Sequence, residues 1–165
     1  MILSTVAKTL LALAASHSPL AAASDRSVDS ARVLALLQLV KDAAPPHSGR
    51  FSLAKAKPLS VDRILPYIAH SGITIQSLHQ PDTLHFTKTQ IASQLRARGG
   101  EVYEQLMYLG YLPYSKNSQC ADRLWIWRET GLDLDLGGDC FQLRFERANG
   151  TLVLTELIFT PPGME

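Results

Sequence analysis

The spacing of the apolar residues changes once along this chain, and that change limits the folds the chain can adopt. Up to about residue 109 the apolar residues recur mainly at helical intervals, as at Val33, Leu36, Leu37 and Val40. From Arg123 onward they recur at every second position, which is the period of a strand. Helices followed by strands predict an α+β fold in which N-terminal helices pack on a C-terminal twisted antiparallel sheet.

Start and stop signals divide the first part into four helices. The first runs over 30–41 and ends before Pro45-Pro46, and the second begins at Ser60 and ends at Gly72. The third opens with the capping box of Thr87 and Gln90, and it ends near residues 99–100. The fourth covers 102–109, with Gly110 as its stop. Between the second and third helices, residues 73–75 predict a short strand.

Three segments of the second part predict strands. Residues 124–127 are apolar on both faces, which favours a central strand. Residues 132–136 alternate leucine with aspartate, so the leucines point to one side and the carboxylates to the other. Residues 140–147 and 151–159 flank Asn149-Gly150 and predict a hairpin.

Two registers are open for this hairpin. A two-residue loop sets Leu143 opposite Glu156, whereas a three-residue loop with Gly150 in a bulge sets Phe145 opposite Val153. The three-residue loop is preferred, because it pairs apolar residues with apolar residues.

The first 23 residues have the order of a secretory signal peptide. Lys8 is followed by a short apolar run and by the small residues Ala21 to Ala23, which place cleavage after Ala23. The alternative is an apolar helix of the folded domain. The order of these residues favours the first interpretation, so we expect a signal peptide over 1–23, a single α+β domain over 24–165, and a periplasmic or secreted location. No apolar stretch has the roughly 20 residues that a spanning helix needs, so no stable membrane insertion is expected.

The charge balance argues against nucleic acid as a partner. The chain has 16 Lys and Arg against 15 Asp and Glu, and removal of Lys8 with the leader leaves the domain formally neutral. Proteins that bind nucleic acid usually carry a clear basic excess, because phosphates dominate their affinity.

Cys120 and Cys140 are the only cysteines. In an oxidising compartment such a pair predicts one disulfide, which closes a loop of about 20 residues and stabilises the fold by about 3 kcal/mol. The alternative is two free thiols, one of them buried as a small apolar residue.

The titratable residues match no catalytic or metal-binding motif. Asp133, Asp135 and Asp139 form the densest carboxylate cluster, but their spacing is not that of an EF-hand, and a solvated outer strand face is the simpler interpretation. The histidines lack zinc spacing, and the chain has no G-x-S-x-G, P-loop or G-x-G-x-x-G sequence. We expect no cofactor, no metal site and no catalytic residue.

Aromatic residues are the best binding candidates. Trp125 and Trp127 fall on one face of a regular strand, and Tyr103, Tyr108 and Tyr111 lie close together on the preceding helix and at its exit. Aromatic side chains with polar tips often line pockets and interfaces, although they also fill ordinary cores.

The closing segment, 141–157, resembles the final hairpin of the NTF2-like superfamily of cone-shaped α+β barrels, a cystatin-like fold. The similarity rests on an aromatic-containing strand, the Asn149-Gly150 turn and a last strand. The tryptophan that often follows the turn in such families is absent here, where residues 152–154 are Leu-Val-Leu. The resemblance implies a fold but no function, because members include enzymes, binding modules and parts of secretion machines.

Three functions are compatible with these features. The first is an exported, non-catalytic domain that binds a protein partner or a small apolar ligand through aromatic residues. The second is a small hydrolase or isomerase with an Asp, His or Tyr site in a cone-shaped cavity. The third is an assembly component of an envelope machine. A homodimer is compatible with each of them.

Overall fold

The helices of this protein pack against a mixed six-stranded sheet. The computed structural model describes residues 28–77, 81–116, 118–120, 125–129, 133–138 and 140–160. The α+β fold class is confirmed. The helices are α1 Val28–Ala43, α2 Val61–Ile64, α3 Lys88–Ala97 and α4 Glu101–Tyr111, and the strands are β1 Ile73–Gln76, β2 Thr83–Phe86, β3 Trp125–Glu129, β4 Asp133–Gly137, β5 Phe141–Ala148 and β6 Thr151–Phe159.

The strand order is β2-β1-β6-β5-β4-β3. The four C-terminal strands form the predicted antiparallel meander, while β1 pairs with β6 in parallel and β2 pairs with β1 antiparallel. The sheet is therefore larger than predicted, and β2 was missed. This strand has only four residues, a length at which alternation carries little information without a partner strand.

The hydrophobic core lies between one face of the sheet and the helices. In β5 the side chains of Phe141, Leu143 and Phe145 are buried, whereas those of Gln142 and Glu146 between them are exposed. The predicted stripe of α1 is buried as well, and most of the circumference of α4 is buried. The two helices pack on each other, and both contact β6. We call the face that carries Gln142 and Glu146 the outer face.

Local signals set the start of α3 and the early end of the helix that follows Ser60. The capping box is confirmed: the backbone N–H of Thr87 donates to Gln90 Oε1 at 2.8 Å, and that of Gln90 donates to Thr87 Oγ1 at 3.3 Å. The helix predicted from Ser60 is shorter than expected. It becomes a 3₁₀ turn at Leu65–Tyr67, because Pro66 cannot donate the next helical hydrogen bond.

Gly110 does not end its helix, so this prediction was wrong. The residue lies inside α4, where a Cβ atom would be 2.2 Å from the carbonyl oxygen of Val40 in α1. Glycine serves here to let the two helix backbones approach each other. The helix continues through Tyr111 and ends in a 3₁₀ turn, Leu112–Tyr114.

The β5–β6 hairpin has the two-residue loop rather than the preferred three-residue loop. Ala148 pairs with Thr151, and the two residues between them have positive φ, 51° for Asn149 and 78° for Gly150. These angles are those of a type I′ turn, whose twist matches that of a hairpin.

A bulge further along the hairpin restores the matching of apolar residues. Phe145 pairs with Leu154, the register then shifts at Thr155, and Leu143 pairs with Leu157. The extra residue donates a hydrogen bond from Thr155 Oγ1 to the carbonyl oxygen of Arg144 at 3.2 Å. The principle that apolar residues face each other was therefore correct, but the inserted residue lies in the strand and not in the turn.

The position of β3 also differs from the prediction. This strand was expected at the centre of the sheet and lies at its edge, beside β4 alone among the described strands. Trp125 pairs with Gly137 and Arg128 with Asp135, and the register shifts between Ile126 and Arg128. Because that shift falls at Trp127, unbroken alternation does not hold through the strand, and the shared face of Trp125 and Trp127 stays a prediction. Their side chains lie outside the described part.

The predicted disulfide joins Cys120 to Cys140, with 5.6 Å between the Cα atoms. Both residues are almost fully buried and belong to the core. The bond ties the segment before β3 to the start of β5.

The predicted signal peptide and its cleavage site lie outside the described residues. Within the described ranges, none of the helices combines the length and the apolar character that crossing a membrane requires.

Candidate functional site

The predicted tyrosines have different environments in α4. Tyr103 is fully buried and Tyr111 is 4% exposed, so both are core residues. Tyr108 is half-buried and lies on the side of α4 that faces Phe51 and Phe159. Of the predicted binding residues whose side chains are described, only Tyr108 has an appreciable exposed surface.

Four nearly parallel rings form what we call the aromatic ladder: Phe51, Tyr108, Phe159 and Phe141. The ring centroids of Phe51 and Tyr108 are 4.1 Å apart, those of Tyr108 and Phe159 are 5.4 Å apart, and those of Phe159 and Phe141 are 5.0 Å apart. The ladder runs from the loop after α1, across α4, to the adjacent ends of β6 and β5. Phe51 and Tyr108 are half-buried, whereas the two strand phenylalanines are buried.

The loop that supplies Phe51 is held against the C-terminal half of α4. The ring of Tyr111 meets that of Phe51 edge-on at 5.3 Å, and its hydroxyl donates to the carbonyl oxygen of Gly49. His47 Nε2 is 3.0 Å from the carbonyl oxygen of Gly110, within hydrogen-bonding distance. These contacts anchor the loop that carries the half-buried ring of Phe51, which lowers the entropic cost of using this ring for binding.

His47 also connects this loop to a second aromatic group. Its ring lies 5.8 Å from that of Tyr111 and 5.6 Å from that of Tyr114. On α1, the ammonium group of Lys41 lies 4.3 Å from the centroid of the Tyr114 ring, a cation–π contact.

The phenols of Tyr114 and Tyr108 stay neutral at ordinary pH, because the pKa of each is raised. Burial raises the pKa of Tyr114 to about 12. Burial, together with the nearby Glu104 carboxylate, raises the pKa of Tyr108 above its usual value of 10.0. The ladder thus offers uncharged, partly apolar surface, and this chemistry suits an apolar or aromatic group of a ligand.

Phe51, Phe159, Phe141 and His47 were not among the predicted site residues. Phe51 lies in a loop without periodicity, and the two strand residues read as ordinary core positions. Only the packing of the loop over α4 brings them together. The residue types were a weak signal, since isolated aromatic residues occur throughout cores.

A polar row crosses the outer face of the sheet. It follows the strand register from His85 in β2 through Thr74, Glu156 and Arg144 to Asp135 in β4. Thr74 Oγ1 is 3.2 Å from His85 Nδ1. Arg144 Nε donates to Asp135 Oδ1 at 3.1 Å, and Arg144 Nη1 lies 3.3 Å from Glu156 Oε2.

The hydrogen bond to Asp135 raises the pKa of Arg144 further, so the guanidinium is permanently charged. Beside it is a shallow depression with an empty volume of about 190 Å³, lined by Asp135, Gln142, Leu143, Arg144 and Glu156.

The carboxylates of β4 are less exposed than predicted. Asp135 is only 2% exposed and Asp133 is half-buried, so the interpretation as a solvated strand face was wrong for Asp135. Asp139 lies outside the described residues. Within the described part of the chain, no three His, Cys, Asp or Glu side chains are grouped closely enough to hold a metal ion.

The ladder and the polar row lie on opposite sides of the sheet. Phe141 points into the core, whereas Arg144, three positions further along β5, belongs to the outer face. A carboxylate from the row is therefore not available to act on a group bound at the ladder.

Comparison of the chain with protein-family models, with curated protein sequences and with solved structures finds no match.

Proposed function

We propose that this protein is an exported binding module that captures a protein partner at the aromatic ladder. The observation that carries the proposal is the stack of Phe51 on Tyr108, two rings that are nearly parallel and half-buried. Rigid aromatic residues with part of their surface open are typical anchors of protein interfaces.

A protein partner is favoured over a small apolar ligand by the spacing of the ladder. Neighbouring rings are already in stacking contact, at 4.1 to 5.4 Å between centroids, so no ring-sized gap separates them. A small ligand buried inside the ladder would have to displace a ring, whereas a partner side chain can pack against the open edges of Phe51 and Tyr108.

Export is the second part of the proposal. The buried disulfide is typical of an oxidising extracellular environment. The order of charge, apolar run and small residues in 1–23 supports a leader cleaved after Ala23. Intact mass spectrometry of protein recovered from the native host tests this part. A mass beginning at Ser24 is expected, and recovery of only the full chain from the cytoplasm would contradict it.

We also propose that this protein belongs to the NTF2-like superfamily. The support is the arrangement of helices against one face of a sheet that closes with the β5–β6 hairpin around Asn149-Gly150. Membership of this superfamily would not specify an activity, because the superfamily includes enzymes as well as binding modules.

The enzyme hypothesis requires a buried carboxylate next to an aromatic pocket. The carboxylate near Tyr108 is that of Glu104, which is only half-buried. Asp135 is the one fully described carboxylate that is almost completely buried, and it is hydrogen-bonded to Arg144 on the face of the sheet opposite the ladder. This placement favours binding over catalysis.

Photo-crosslinking in the native host tests the binding site. A photoreactive phenylalanine analogue replaces Phe51, and in a control protein it replaces the exposed outer-face residue Gln142. We expect a discrete crosslinked protein of constant mass from position 51 and none from position 142. Equal labelling at both positions, or no product at position 51, would refute the proposed site.

Two substitutions separate binding from folding. Tyr108→Phe keeps the ring and should retain the crosslink, whereas Tyr108→Ala removes the ring and should abolish it. The urea midpoint of each variant is measured in parallel. The Tyr108→Ala result is used only if this variant is folded under the crosslinking conditions. If it is not, the milder Phe51→Leu substitution replaces it, and the photoreactive group is then placed at position 108.

A further inference from the structure

We propose that the partner segment captured at the aromatic ladder is acidic, with carboxylates on both sides of an apolar or aromatic side chain. This inference rests on the proposed function, because it names the chemistry of the partner at the same site. It starts from the charge of the loop that supplies Phe51.

The loop between α1 and α2 is basic, although the charges of the whole chain nearly balance. Residues 44–60 contain Arg50, Lys55 and Lys57 and neither aspartate nor glutamate. The chain as a whole has 16 Lys and Arg against 15 Asp and Glu. Positive charge is therefore concentrated in the segment that carries Phe51.

A fourth cation joins this loop from the end of α3. Arg98, the residue after α3, donates a hydrogen bond from its guanidinium to the carbonyl oxygen of Ala56. Because Ala56 lies between Lys55 and Lys57, three cationic side chains are attached around one residue. We call Arg50, Lys55, Lys57 and Arg98 the basic rim.

The side chains of the basic rim are all exposed. Within the described part of the molecule, none of the four forms an ion pair with a carboxylate. Cations that are gathered on one surface without carboxylate partners create a positive potential, which attracts negatively charged groups of a ligand.

The residues around the loop do not cancel this charge. The flanking end of α1 carries Lys41 and Asp42, and α2 carries Asp62 and Arg63, so each of these helices adds one charge of either sign. Glu104 lies beside Tyr108 and offsets one of the four cations. The surface around the open end of the ladder keeps an excess of positive charge.

The backbone that carries the basic rim is held in place. The N–H of Lys57 donates to the carbonyl oxygen of Ala43 at 2.7 Å, and the Tyr111 hydroxyl donates to that of Gly49. The side chain of Ala56 is buried. The loop therefore does not have to become ordered when a partner binds, which lowers the entropic cost of using its charges.

An acidic protein segment fits this arrangement better than an anionic membrane does. Arg50 directly precedes Phe51 and Lys55 follows four residues later, so cations flank the ring on both sides along the chain. A partner side chain on Phe51 thus brings its own neighbours to the rim, where an arginine can bind a carboxylate through two parallel hydrogen bonds. Membrane docking instead requires apolar side chains that insert into the lipid, whereas Phe51 and Tyr108 are half-buried.

The first test measures the binding of synthetic peptides to the purified, disulfide-intact protein by fluorescence anisotropy. One peptide has a phenylalanine between two runs of glutamate, and the other has lysines in place of the glutamates. We expect only the glutamate peptide to bind at about 0.1 M salt. Its affinity should fall at about 1 M salt, because the Debye length decreases from about 10 Å to about 3 Å. Equal binding of the two peptides, or binding of neither, would refute the inference.

Charge reversal in the protein is the second test. Lys55→Glu should raise the dissociation constant of the glutamate peptide about fivefold, mainly through slower association. Lys88→Glu is the matched control, since Lys88 begins α3 about 15 Å along the helix axis from Arg98, which exceeds the Debye length of about 8 Å at physiological salt. The control should change the constant by less than about twofold. Equal effects of the two substitutions would show that the basic rim does not select the ligand.

The third test separates this inference from the proposed function. In the native host, crosslinking from the photoreactive group at position 51 should decrease with Lys55→Glu and stay unchanged with Lys88→Glu. An unchanged yield with Lys55→Glu would refute the acidic partner and leave the ladder as the binding site. Absence of any crosslink would refute the ladder and this inference together. Binding to phosphatidylglycerol vesicles but not to the glutamate peptide would refute the inference in favour of a membrane.

Discussion

Arg144 contacts two carboxylates that differ mainly in their exposure to water. The side chain of Asp135 is 2% exposed and that of Glu156 is 28% exposed, while the Arg144 side chain is 43% exposed. An ion pair in solvent gains little, because water screens it and the side chains lose freedom. The hydrogen bond from Arg144 to the buried carboxylate of Asp135 is screened less by water, so its loss costs more.

This difference gives a prediction for matched substitutions. Asp135→Asn should lower the free energy of unfolding by about 1.5–3 kcal/mol, the range for hydrogen bonds to charged groups. Glu156→Gln should lower it by less than about 1 kcal/mol. Urea denaturation of the two variants provides the comparison, and equal losses would show that burial does not distinguish the two contacts.

Tyr114 gives a pH-dependent prediction. Burial raises its pKa to about 12 in the folded protein, from the ordinary value of 10.0. Between those values the folded state binds more protons than the unfolded state. The buried phenol of Tyr114 therefore leaves the free energy of unfolding at its full value below pH 10. As the pH rises from 10 towards 12, the free energy of unfolding falls by at most about 2.7 kcal/mol on account of this group.

Tyr114→Phe has no phenol to ionise and should lack this part of the alkaline destabilisation. Ultraviolet difference titration of the wild type against this variant should show one phenol ionising near pH 12. If the Tyr114 phenol of the folded protein ionised near pH 10, its burial in the structure would be contradicted.

Among the elements, the contact between α1 and α4 depends most closely on one residue. Gly110→Ala would improve intrinsic helix propensity by about 1 kcal/mol. Yet the new Cβ would lie 2.2 Å from the Val40 carbonyl oxygen and 3.0 Å from the Ala44 Cβ, so the helix backbones would have to separate. We expect the clash to dominate, with a net loss of about 1–3 kcal/mol in the free energy of unfolding.

Gly99→Ala is the control for this prediction. A Cβ at Gly99 meets nothing within 4 Å, so its effect should stay within about 0.5 kcal/mol. Thermal and urea denaturation measure both variants. A stabilised Gly110→Ala protein would mean that the two helices are not in such close contact.

Elements with strong local signals were predictable from the sequence. The capping box, the apolar stripe of α1 and the position of the turn at Asn149-Gly150, though not its loop length, each depend on residues close together in the chain. The bulge at Thr155 was not predictable in this way, because its position depends on how the apolar residues of β5 and β6 match along the whole hairpin. Gly110 was misjudged for the same reason, since its role depends on Val40 in another helix.

At the scale of the whole molecule, the disulfide connects the start of the meander to its third strand. Its cysteines are separated by 20 positions, and closing such a loop restricts the unfolded chain by about 3 kcal/mol. Replacement of both cysteines by serine should lower the free energy of unfolding by about that amount. The comparison is made by urea denaturation, and alkylation without reductant should modify no thiol in the wild type.

Because the chain has two cysteines, reductant can act at this one bond only. Reduction followed by alkylation is thus a second route to the same measurement. An unchanged urea midpoint after complete reduction would show that the loop is already constrained by other contacts.

Fold class, disulfide pairing and most element boundaries followed from the order of residues, because they depend on periodicity, on capping and on the count of cysteines. The aromatic ladder, the burial of Asp135 and the edge position of β3 required the packed molecule. Each of these joins residues that are distant in the chain, and no local pattern records which distant segment a strand or a loop will contact. Binding surfaces are built from such contacts, so the candidate site became visible only after the loop, the helix and the sheet were placed together.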